Sequence, residues 1–192
     1  MSNLTVITPS YKDPINEDDL LQHLRLIPED EQERKYMVDL MKSAVAYLQQ
    51  DTGYLLGQAT YKLTLSDFPD DEVSLPLIPV QSISQVLYYT SKTDTSTLTQ
   101  NTDFWFVSHD RSASLHPIDS WPSVYDRPDG VQITFVAGHQ KIEDVKENAL
   151  QAIRFLVGHW FENRQAVVTG PIVNDVPFTY SALANQLKRY TF

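Results

Sequence analysis

Cysteine is missing from all 192 residues, so disulfides, thiolate metal sites and a cysteine nucleophile are excluded. Glycine is scarce, at six residues, and Gly57, Gly138 and Gly170 stand isolated, so no phosphate-cradling loop can be built from them. No run of about 18 apolar residues occurs, and the opening Met1–Asp13 stretch has neither the basic nor the apolar region of a signal peptide. The expectation is a protein without membrane contact that stays in the cytoplasm where it is made, unless it leaves inside a larger particle.

Positive charge is also in short supply. Lys and Arg number 15 against 25 Asp and Glu, for a formal charge of −10. Tight nucleic-acid binding draws on Lys and Arg neutralising phosphates, so a DNA-gripping protein is disfavoured. DNA passing close by is compatible with an acidic surface, which avoids phosphate contacts. The acidity is uneven. Residues 12–51 hold ten acids against five bases, whereas residues 141–192 hold five acids and six bases. Hydrophobic content of 42% with mean hydropathy −0.31 is that of an ordinary globular chain able to bury one real core.

Three kinds of segment follow one another. Asn16 is a good N-cap, followed by Glu17, Asp18 and Asp19 in a first turn where acids suit the helix dipole. This predicts a short helix over about Glu17–Leu26 that buries Leu20, Leu21 and Leu24. Pro28, then Glu29, Asp30 and Glu31, open a second helix. Met37, Leu40, Met41, Ala44, Val45 and Leu48 give it a helical stripe, and Gly53 is its expected C′ residue. The middle reads as strands: Thr60–Leu65, Val80–Tyr89 with less regular alternation, Phe104–Val107 and Val131–Val136. Turn formers separate them at Asp70-Asp71, Ser91–Asn101 and Arg127–Gly130. Helix returns over about Glu143–Glu162, with Val145, Ala149, Ile153, Leu156 and Trp160 widened by Ala152 and Phe155. A polar link from Arg164 to Thr179 then leads to a last short helix over Tyr180–Tyr190, with Leu183 and Leu187 buried. The fold class expected is α+β. Two N-terminal helices with one long and one short C-terminal helix form a helical core (1–53 and 141–192), and an antiparallel β-rich insertion (54–140) lies between them.

No constellation of catalytic residues emerges, and no catalytic, cofactor-binding or metal-binding residue is assigned. The five histidines, His23, His109, His116, His139 and His159, include no i, i+4 metal pair. His109-Asp110 with His116 and Asp119 would be the material for a metal or acid–base cluster; exposed loop residues are the simpler reading. His159 beside Trp160 suits helix packing or an interface. Glu17-Asp18-Asp19 and Glu29-Asp30-Glu31 lack the ligand spacing of a calcium loop, and dipole complementation accounts for both. No serine sits in a G-x-S-x-G elbow. Phe104-Trp105-Phe106 offers a stacking platform for a sugar or base, but on an alternating strand at least one ring should face the core. A non-enzymatic protein is expected.

Four stretches, in order, resemble a known family. Asp67-Phe68-Pro69 with Leu75-Pro76-Leu77-Ile78-Pro79-Val80-Gln81-Ser82-Ile83 is similar to its Leu-Pro signature before a strand. Ile133-Thr134-Phe135-Val136-Ala137-Gly138-His139 is similar to its Ala-Gly strand end. His159-Trp160-Phe161-Glu162-Asn163-Arg164 resembles the close of its long helix, and Tyr47-Leu48 with Thr52-Gly53 the close of an earlier one. Gln49 and Gln50 depart from the usual acidic residue, and the segment from Gly170 matches the family's ending only loosely, through Pro177, Leu183, Leu187, Arg189 and Tyr190. The family is that of the head–tail connector (adaptor, or head-completion) proteins of tailed bacteriophages.

The resemblance implies a ring, often of about twelve subunits, beneath the portal at the capsid vertex, in the virion neck. Such a ring extends the DNA channel and carries the tail platform. Its partners would be the portal protein, a neck stopper or tail protein, further copies of itself, and genomic DNA passing without sequence-specific binding. Synthesis would be in the host bacterial cytoplasm. No cofactor is implied. The alternatives are another neck component (stopper or tail terminator), a small carbohydrate-binding β-module using Trp105, Trp121 or Tyr125, and a metal-dependent hydrolase built on the histidine cluster above.

Overall fold

The computed structural model describes residues 3–8, 15–24, 31–163 and 178–189. The chain is α+β and divides into two compact units: residues 12–56 with 141–188, and residues 1–11 with 57–140 and 189–192.

The first unit is helical, with α1 (Glu17–Leu24), α2 (Glu31–Thr52), α3 (Glu147–Glu162) and α4 (Phe178–Leu187). Asn16 caps α1 as its sequence suggests, its Oδ1 accepting the Asp18 N–H at 3.1 Å. Leu20 and Leu21 are buried, while Leu24 is only half-buried. The expected reach of this helix to Leu26, and the helix start at Pro28 with Glu29 and Asp30, lie outside the described residues. Along α2, Met37, Met41, Ala44, Val45 and Leu48 are buried and Leu40 is half-buried. Gly53, at φ +71°, ends it in the left-handed conformation that glycine adopts most cheaply.

The long C-terminal helix begins later than its hydrophobic pattern suggests. Lys146 and Val145 are extended, and residues Ile142–Asp144 form a separate 3₁₀ turn. The Lys146 N–H is taken by the Tyr54 hydroxyl at 3.0 Å instead of by a preceding turn. From Glu147 the expected stripe is buried at Ala149, Ala152, Ile153 and Leu156, with Val157 beside it, but its last member, Trp160, is only half-buried. Phe155, expected to widen it, is 38% exposed and meets the His23 ring edge-on at 6.1 Å. In α4, Tyr180, Ala184 and Leu187 are buried, but Leu183 is only half-buried. The expected link Arg164–Thr179 lies outside the described residues except for Phe178 and Thr179, which are helical. α2 packs against α3 and α4, α3 against α4, and α1 against α3.

The second unit is built from β1 (Asn3–Thr8), β2 (Ala59–Leu65), β3 (Val73–Ser74), β4 (Val80–Tyr89), β5 (Thr95–Leu98), β6 (Phe104–His109), β7 (Ser112–Pro117) and β8 (Val131–Ala137). One antiparallel sheet has five strands in the order β1-β2-β8-β4-β5; a second has three, β3-β7-β6. β8 is the centre of the larger sheet. Its Val131, Ile133, Phe135 and Ala137 are all buried, a strict period of two on one face. Burying each of the larger ones contributes about 2 kcal/mol. β4 alternates less cleanly for a visible reason: its pairing with β8 is shifted twice, between Val80 and Ser82 and between Ile83 and Gln85.

β1, β3, β5 and β7 are strands the sequence did not announce. β5 falls inside Ser91–Asn101, expected to be a turn; its Ser and Thr residues extend because β4 offers them a partner edge. β7 carries His116, which is therefore a strand residue and not the loop residue expected.

Candidate assembly surfaces

In the helical unit, the side chains at the ends of α2, α3 and α4 converge. Tyr47 meets the Trp160 ring edge-on at 6.0 Å and the Tyr180 ring at 5.6 Å. The buried Tyr180 donates its hydroxyl to Asp51 Oδ2 at 3.0 Å, and Lys188 Nζ reaches Asp51 Oδ1 at 3.0 Å. Burial first, then the Asp51 charge and hydrogen bond, push the Tyr180 phenol far above its ordinary value. Two of the quoted motifs, Tyr47-Leu48 and the His159–Arg164 hexapeptide, thus touch. His159 makes a helix-end contact: Asn163 Nδ2 donates to its carbonyl at 2.8 Å. His23 is lowered by burial and by the Arg154 charge, so it favours the neutral form. Of the acidic runs, Glu17 pairs with Arg34 at 3.0 Å, and Glu29 and Asp30 lie outside the described residues.

In the sheet unit, the other two motifs meet. Gly138 donates its N–H to the Pro79 carbonyl at 2.8 Å, and Gln81 Nε2 donates to the Gly138 carbonyl at 3.1 Å. Phe68 stacks on Trp121 at 4.5 Å with ring planes 4° apart, and the indole N–H donates to the Asp71 carbonyl at 3.2 Å. Arg127 lies 3.5 Å over the Tyr89 ring and holds Asp129 with two hydrogen bonds of 2.6 and 2.9 Å. That pairing lowers the Asp129 carboxyl, through its hydrogen bond to Arg127 first.

The histidine cluster does not assemble. Across β6 and β7, His109 stands opposite Ser112 and His116 opposite Trp105, which sets them about 13 Å apart along the hairpin. His116 is engaged by Ser114 Oγ at 2.9 Å and Glu72 at 3.1 Å. Among the described residues, no group of three His, Asp or Glu side chains is placed to hold a metal ion. The aromatic triplet divides as an alternating strand should: Phe104 is buried, Phe106 half-buried and Trp105 52% exposed. Trp105 and Tyr125 expose large rings, but Trp121 is committed to its stack on Phe68.

What the described surface offers instead is apolar area on secondary structure. Leu4, Val6 and Ile7 of β1, and Tyr47, Phe155 and Phe178 of the helical unit, are all exposed. Sequence periodicity alone placed Phe155 in the core, and Phe178 fell within the stretch expected to be a polar link.

No family model and no curated protein matches the sequence. Solved structures do. A chain in the neck of an empty gene transfer agent particle, computed with C6 symmetry, superimposes with TM-score 0.77 at 18% identity, covering 99% of this chain and 97% of that one. The fold is shared with chains of gene transfer agent particles. A chain of the native gene transfer agent virion gives TM-score 0.75 at 16% identity over 98% and 96% of the two lengths. A chain in the neck of the native particle, computed with C12 symmetry, gives 0.68 at 15% over 99% and 97%. These TM-scores, over 98–99% of this chain, show a shared fold that includes both units. Among the described residues, no helix is long and apolar enough to cross a membrane.

Proposed function

We propose that this chain is a structural component of the neck of a tailed-phage-like particle: a head–tail connector (adaptor) that forms a ring under the portal. The observation that carries the proposal is the end-to-end fold match with chains of particle necks, together with the four connector-like motifs in the same order. The motifs also meet in pairs, which gives each a packing reason to be where it is. Ring symmetry of the matched necks fits a chain that assembles with copies of itself. In this reading the portal protein lies on one side, a stopper or tail protein on the other, and genomic DNA runs through the channel. A charge of −10 suits a conduit, because acidic walls repel phosphates within a Debye length of about 8 Å. The protein has no chemistry to perform, and its work is geometric. The segment 54–140 is, in this proposal, an insertion into the helical core; limited proteolysis that left it as a lone stable fragment while the helices were degraded would contradict that.

Electron microscopy of the purified chain mixed with emptied, neckless capsids tests the reading. A ring seated directly on the portal is expected. A ring seated elsewhere in the neck would make the chain a stopper or tail terminator, and no ring at the vertex would defeat the proposal.

A further inference from the structure

A closed ring requires each subunit to carry two different patches that fit each other head to tail. The larger sheet has two free edges among the described residues, β1 on one side and β5 on the other. All six residues of β1 are exposed, so the strand buries little within its own subunit although Leu4, Val6 and Ile7 are apolar. Exposed strand edges invite pairing, and proteins that must avoid it place charges, above all Lys, on them. Here the reverse holds. Residues 3–8 carry no charge, and neither do residues 95–102, in a chain whose net charge is −10. Copies of a chain with this net charge repel one another on the whole, and these two edge segments add nothing to that repulsion.

We propose that β1 of one copy adds to β5 of the next, so that the five-stranded sheet continues from subunit to subunit around the ring. The inference rests on the ring proposed above. Four antiparallel pairings separate β1 from β5, so the two edge strands run in the same direction. Neighbours related by rotation about an axis near the strand direction would therefore join them in parallel. Main-chain hydrogen bonds supply the pairing, and the side chains set its register. Four to six residues of strand make only part of an interface, which buries about 800 Å² per partner, so other surfaces share the contact.

The absence of native cysteine makes the test clean. Thr5 and Thr97 are both exposed strand residues that stand outside the core face. The full-length double variants Thr5→Cys/Thr97→Cys and Asn3→Cys/Thr97→Cys, each shown to melt like the parent, are assembled on neckless capsids and oxidised. A ladder of reducible oligomers from a double variant is expected, with none from Thr5→Cys, Asn3→Cys or Thr97→Cys alone. Rings visible by microscopy without a ladder from either double variant would overturn the edge-to-edge contact and leave the ring standing. Dimers from Thr5→Cys alone would mean that two β1 strands meet about a two-fold axis, which also overturns it. Failure to form any ring would remove the function and this inference together.

Discussion

Gly138 gives its backbone N–H to the carbonyl of Pro79 at 2.8 Å, tying the end of β8 to the segment that opens β4. Its φ is +96°, and a Cβ there would lie 2.0 Å from the Gly57 carbonyl oxygen. Both the conformation and the space demand glycine. Gly138→Ala should destabilise the protein by at least about 2 kcal/mol, measured by chemical denaturation. A melt unchanged within error would mean that the close approach can relax.

Tyr180 and Asp51 form a second such tie, between α4 and the end of α2. Tyr180→Phe keeps the ring and loses a hydrogen bond to a charged acceptor, which should cost about 1–2 kcal/mol. Lys188→Ala, losing a half-exposed ion pair with the same carboxylate, should cost less than about 1 kcal/mol. The two share Asp51, so a double-mutant cycle should show coupling.

The same tyrosine predicts an alkaline limit. Its folded-state pKa is raised, so the neutral phenol is the form the fold prefers. Its contribution is complete below the unfolded value near 10 and is lost as pH rises above it, because the unfolded chain then releases a proton that the folded one retains. Stability should fall by up to about 1.4 kcal/mol per pH unit from this group, and Tyr180→Phe should flatten that slope. An unaltered alkaline slope in the variant would contradict the assignment.

Trp160→Ala should cost about 2 kcal/mol, less than the roughly 3–5 of a fully buried large aromatic, because the ring is half-buried against Tyr47. If Trp160 also contributes to a subunit contact, ring assembly will fall further than the monomer's thermal midpoint does.

Trp105 and Trp121 should separate. Trp121→Ala removes the stack on Phe68 and should lower stability by about 2 kcal/mol, whereas Trp105→Ala, on an exposed face, should change it by less than about 1 kcal/mol. Calorimetry with oligosaccharides should detect no binding. Saturable binding lost in Trp105→Ala, with an unchanged melt, would favour a carbohydrate-binding module.

Local chemistry was legible where it acts within one turn or one strand. Asn16 with its three acids marked the start of α1, Gly53 the end of α2, and the alternation of Val131–Val136 the central strand. Strands made by pairing were not legible. β5 has a polar, turn-like composition and is extended because β4 lies beside it; β1 is all exposed, so no burial pattern marks it. The start of α3 was misread by four residues because Tyr54, distant in sequence, takes the Lys146 N–H.

The sequence by itself determined a cysteine-free acidic α+β chain, its main helices, its central strands and the order of four connector-like motifs. These follow from side-chain periodicity, capping and composition, which act over a few residues. Only the tertiary structure decided that the motifs meet in pairs, Tyr47 with Trp160 and Pro79 with Gly138, and that His109 and His116 stay apart. It also decided which strands end the sheet with free, uncharged edges. Those relationships depend on strand order and on contacts across 59 and 113 positions of chain (138 − 79 and 160 − 47), which no local pattern encodes.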